Sequence, residues 1–60
     1  MTKERKEQAI TLLTQFQGGI VNQQGEAVHN KDEDLYNRLY EAWSLLQDII
    51  FLIEDAPEDD

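Results

Sequence analysis

The sequence predicts an all-α fold: an antiparallel hairpin of a short first helix and a long second helix, dimerising into a four-helix bundle. Apolar residues Ala9, Ile10, Leu12, Leu13, Phe16 and Ile20 recur at spacings of three and four, the helical template rather than strand alternation. Leu35, Leu39, Ala42, Leu46, Ile49 and Ile53 then follow a four-three-four-three-four rhythm, the a/d seam of a heptad. With 60 residues and no cysteine, a single domain spanning 1–60 has to be held by packing alone. A chain this short buries only about 60% of the surface its unfolded form exposes, so self-association or a partner is the expected remedy.

Each element has its own signals. Thr2 is placed to N-cap a first helix over residues 3–17, and Gly18-Gly19 to end it, because glycine adopts the left-handed conformation past a helix end without a Cβ penalty. Residues 18–31 then form a connector in which Ile20-Val21-Asn22 and Glu26-Ala27-Val28 flank Gln23-Gln24-Gly25, the pattern of either a small β-hairpin or an irregular loop. A second helix is expected over residues 32–55, capped by Asn30 or Asp32, with Asn30 and Glu33 at capping-box spacing and Glu33 and Asp34 beside the positive end of the helix dipole. Pro57 closes it near Glu54 or Asp55, leaving residues 56–60 as a short acidic tail.

The second helix is apolar over more than one seam. Tyr36, Trp43 and Ile50 also repeat every seven residues, with Leu45 and Leu52 on the flank opposite them. One short partner helix cannot cover all of that surface, so Leu35, Leu39, Trp43, Leu46, Ile49, Ile50 and Ile53 are the expected core and oligomer interface.

Thirteen acidic and five basic residues set a formal charge of −8, which argues against direct binding to nucleic acid or anionic lipid, since phosphate contacts need lysine and arginine. The longest apolar run, Ile49-Ile50-Phe51-Leu52-Ile53, falls far short of the roughly 20 residues that span a bilayer. No apolar segment follows the basic start, Lys3 to Lys6, so a cytoplasmic location is expected. Lys3, Arg5 and Lys6 open the first helix while Glu54, Asp55, Glu58, Asp59 and Asp60 crowd the end of the second. Each cluster opposes its own helix dipole, and an antiparallel hairpin brings the two together.

Asp34, Glu41, Asp48 and Asp55 fall seven residues apart and form one carboxylate stripe with a repeat of about 10.5 Å, a candidate partner-binding face. Such a row imitates nucleic-acid charge only loosely, because successive phosphates on one strand lie roughly 7 Å apart. Asn30, Asp32, Asp34 and Glu41 occupy positions 1, 3, 5 and 12 of a calcium-loop register, but Leu35 stands where that loop needs glycine. His29 is the sole histidine and has no cysteine or second histidine to complete a transition-metal site, so no metal or cofactor is expected. Ser44, Thr11 and Thr14 lack a base at usable spacing, and a two-helix chain offers little volume for a cleft, so catalysis is not expected.

In size and charge the chain resembles, as a type, the small acidic accessory proteins of bacteriophages and other mobile elements. Two functions follow as expectations. One is a regulatory module that binds a partner protein and masks a basic, nucleic-acid-binding surface. The other is an assembly subunit whose second helix builds a homo-oligomer or completes a larger complex.

Overall fold

Thr2 opens the first helix in extended geometry, its hydroxyl accepting a hydrogen bond from the Arg5 amide. In the computed structural model, which describes residues 1–58, that helix (α1) runs Lys3–His29 and a second (α2) runs Glu33–Glu54. The two pack antiparallel, and no strand occurs among the described residues.

This corrects the expected boundaries. The first helix is the longer one, at 27 residues against 22, and the connector shrinks to three residues, Asn30 to Asp32. The chain runs helically through Gly18, Gly19 and Gly25, none of which has positive φ. Glycine permits a left-handed stop without requiring one. Helix continues here because Ile20, Gln24 and Ala27 prolong the same face that Ile10, Leu13 and Gln17 begin, and that face packs on α2.

The turn is built from residues without an obvious turn signature. Lys31 adopts φ 56, the position past a helix end where glycine is usual. Its amide donates to the Val28 carbonyl at 3.1 Å and the Asp32 amide to the Ala27 carbonyl at 2.8 Å, the paired bonds of a Schellman motif. Asp32 then starts α2, its carboxylate accepting from the Leu35 amide at 3.1 Å. Asn30 ends α1 rather than boxing α2, its amide donating to the Glu26 carbonyl.

The packing seam on α1 is Lys6, Ile10, Leu13, Gln17, Ile20, Gln24 and Ala27, and on α2 it is Leu39, Trp43, Leu46, Ile50 and Ile53. The α2 seam differs from the expected rhythm at alternate positions. Trp43 and Ile50 face α1, and Ile50 is only 4% exposed, whereas Leu35 and Ile49 lie open. The Gln17 amide nitrogen donates to Gln47 Oε1 at 3.0 Å and to the Trp43 carbonyl at 3.4 Å, which sets the level of one helix against the other. At the far end Lys6 Nζ donates to the Ala56 carbonyl at 3.0 Å and lies 3.8 Å from Glu58, so the basic start does meet the acidic end. Asp59 and Asp60 lie outside the described residues. Among the described residues, no helix is long and apolar enough to cross a membrane.

The result is one helix-pair thick, with Cα extents of 48 × 14 × 8 Å. Only Ala27 and Ile50 are buried apolar residues among those described. The accessible surface is 4801 Å², against about 4,000 Å² for a folded globular monomer of 7.0 kDa.

Candidate protein-interaction surface

Two kinds of surface remain outside the seam, one charged and one apolar. On α2, Asp34, Glu41, Asp48 and Asp55 project from the side opposite α1, and all four are exposed. Asp34 is engaged: its carboxylate accepts from Arg38 Nε at 3.0 Å. Both partners lie in solvent, and exposed pairs one helical turn apart contribute about 0.3–0.5 kcal/mol. Glu41 and Asp48 make no ion pair among the described residues, so the middle of the stripe is uncompensated negative charge. The outer face of α1 contrasts with it, since no charged residue occurs from Gln8 to Gly25. The field of the hairpin is therefore concentrated on one side.

The flanks of the seam are unlike each other. In an antiparallel pair, the residues immediately before each seam position on both helices fall on the same side of the hairpin. Here those are Arg5, Ala9, Leu12, Phe16, Gly19, Gln23 and Glu26 on α1 and Arg38, Ala42, Leu45, Ile49 and Leu52 on α2, a side whose central stretch, Ala9 to Gly19 beside Ala42 to Leu52, has no polar atom beyond the backbone. Leu12, Phe16, Leu45, Ile49 and Leu52 are all exposed, Leu52 by 72%. The residues just after the seam form the other flank: Glu7, Thr11, Thr14, Gly18, Val21, Gly25 and Val28 on α1, with Tyr40, Ser44, Gln47, Phe51 and Glu54 on α2. Apolar and polar groups alternate there.

The sequence-predicted interface set is therefore divided. Ile50 is buried and Leu39, Trp43, Leu46 and Ile53 are partly buried against α1, while Leu35 and Ile49 remain uncovered. The exposed contribution of α1, Leu12 and Phe16, was absent from that set. Both residues belong to the apolar pattern of the first helix, and the approach of α2 decides that they face outward.

The remaining candidate groups do not converge. Asn30 and Asp32 serve as caps and Asp34 pairs with Arg38, so the calcium-like register is dispersed along a turn and a helix. Among the described residues, no group of three or more His, Cys, Asp or Glu side chains is disposed to hold a metal ion. A shallow groove of about 310 Å³ beside the turn is lined by Ala27, Val28, Lys31, Asp32, Glu33 and Tyr36. Compared with protein-family models, curated proteins and solved structures, the chain matches none.

Proposed function

We propose that this chain is a small acidic, non-catalytic regulatory module that acts by binding a partner protein, with the outer face of α2 competing against nucleic acid for the partner's basic surface. The observation that carries this reading is that Glu41 and Asp48, at the centre of a carboxylate row, are exposed and have no ion pair among the described residues, beside an α1 with no charge from Gln8 to Gly25. Like-charged rows of this kind raise association rates and discriminate between partners by sign. In size and charge the chain is of the type of small phage accessory proteins, and a cytoplasmic setting suits such a module. The scaffold for that face is a homodimer, two hairpins forming a four-helix bundle, favoured by the surface left over from intrachain packing.

The test separates a stripe from mere net charge. Displacement of duplex DNA from a lysine-rich, DNA-binding peptide is followed by fluorescence anisotropy over a salt series. The variant Glu41→Gln/Asp48→Asn/Gln8→Glu/Gln15→Glu keeps the charge of −8 but moves two carboxylates to α1. Displacement should weaken and depend less steeply on salt in that variant. Equal displacement by both proteins would remove any role for the arrangement.

The assembly reading has its own support in the exposed Leu12, Phe16, Leu45, Ile49 and Leu52. It is compatible with the first, because the apolar side and the acidic face are different surfaces of α2.

A further inference from the structure

We infer that the apolar side carrying Leu12, Phe16, Leu45, Ile49 and Leu52 is where a second copy of this chain packs, face to face, about a two-fold axis parallel to the helices. The inference rests on the homodimer reading above and specifies its surface and alignment.

Three features select this side and this occupant. The first is area. The five residues expose on the order of 500 Å² per copy, at the upper end of the largest patch that a monomer normally leaves open. The surplus of the whole hairpin over a globular monomer of its mass approaches the roughly 800 Å² that each partner contributes to a standard interface. The second is level. The Gln17–Gln47 bond and the Lys6–Ala56 bond place Phe16 beside Leu45 and Leu12 beside Ile49, so the apolar groups form one block rather than two displaced patches. Gly19 and Ala9 keep the α1 part of this side low, which lets a facing helix approach closely.

The third is charge. An axis parallel to the helices lays α1 of each copy over α2 of the other at the same level. The basic start of one copy, with Arg5 on this side, then lies at the same level as the acidic end of the other copy's α2, and the match occurs twice. Every neighbouring pair of helices is antiparallel, so their dipoles also oppose favourably. The uncharged stretch Gln8 to Gly25 faces nothing that needs a counter-charge. The acidic stripe stays on the outside of the bundle, available to the partner proposed above.

Light-scattering chromatography over a concentration series reads the outcome as molar mass, with far-UV circular dichroism checking that each variant is folded. The wild type should weigh twice 7.0 kDa. Leu52→Glu alters a residue that the hairpin itself hardly buries, and it should halve the mass with helicity retained; Leu45→Glu is the second variant of the same kind. Tyr40→Glu and Phe51→Glu, on the opposite flank, should leave the dimer intact. A wild type that stays monomeric throughout overturns the homodimer reading itself. A dimer that survives Leu52→Glu and Leu45→Glu, or that dissociates with Tyr40→Glu and Phe51→Glu instead, leaves the dimer standing and overturns this surface. The alignment is read separately from a spin label on Asn30→Cys, a single site because the chain has no cysteine. Turns at the same end of the bundle give a label separation of about 20 Å, from interaxial distances of about 8–10 Å plus the label arms. A separation approaching the 48 Å length of the hairpin overturns the parallel axis.

Discussion

The two helices are unequal partners in a way that their lengths conceal. α1 is longer, yet its seam carries Lys6, Gln17 and Gln24 among its apolar residues, and its body contains Gly18, Gly19 and Gly25. α2 is shorter, and its seam of Leu39, Trp43, Leu46, Ile50 and Ile53 is wholly apolar. A glycine in a helix interior is less favourable than alanine by about 0.8–1.0 kcal/mol, so three of them make α1 a poor helix by itself. Its continuity comes from packing on α2. The comparison teaches that helix length is set here by the available partner surface rather than by local propensity.

The strongest way to break the contrast is to damage the surface that α1 depends on. Ile50→Ala removes the most buried large side chain of α2 and should destabilise the fold by about 2–5 kcal/mol, which in so small a domain is enough to abolish cooperative unfolding. A thermal melt by circular dichroism checks it; retention of the wild-type midpoint would show that the seam is wrongly assigned.

Next in size is the polar step in the α1 seam. Gln17 is 7% exposed and bonds both Gln47 and the Trp43 carbonyl. Gln17→Ala should lower stability by about 1–2 kcal/mol, since two partly buried acceptors lose a donor at the centre of the seam. The double variant Gln17→Leu/Gln47→Leu should recover that stability in urea titrations while relaxing the alignment of the helices, visible as broadened amide resonances. Sharp, unshifted spectra in the double variant would mean that the pair does not set the register.

Lys31 offers a gain. Holding a side chain in the left-handed region costs about 1–2 kcal/mol, so Lys31→Gly should stabilise the hairpin by about 1 kcal/mol once the extra backbone entropy of glycine is deducted. A fall in melting temperature would indicate that Lys31 contributes something beyond its backbone angle.

The smallest effects address the glycines of α1. A Cβ at Gly18 or Gly25 meets nothing within 4 Å, so Gly18→Ala and Gly25→Ala should each raise stability by roughly 0.5–1 kcal/mol. Hydrogen exchange should slow most in the amides of α1 between residues 18 and 29. Were protection to rise equally in α2, the two helices would be exchanging as one unit and their inequality would be confined to composition.

Much of the chain was legible without a structure. Thr2 as a cap, Asp32 as one of two candidate caps and Pro57 just beyond the end of the second helix all follow from local chemistry, and the fold shows each of them, while Lys6 beside Glu58 joins the two charged ends as the hairpin expectation has it. The stripe of Asp34, Glu41, Asp48 and Asp55 was legible for the same reason, because a seven-residue spacing places residues on one side of any helix. The connector was not. Three glycines marked a break that the helix does not make, and the real turn sits on Lys31, whose backbone angle no composition rule assigns to lysine.

What the sequence determined by itself was therefore helical periodicity on either side of the glycines, caps and one-sided charge, since each depends on neighbours no more than a turn or two away. The choice of seam belonged to the tertiary structure. Apolar residues occupy both 42 and 43 and both 49 and 50, so a heptad can be drawn through either member of each pair. Only the approach of α1, locked in level by Gln17 on Gln47 and Lys6 on Ala56, buries Ile50 and leaves Ile49 on the open side with Leu45 and Leu52. Burial is a property of two surfaces meeting, and a one-dimensional pattern specifies only one of them.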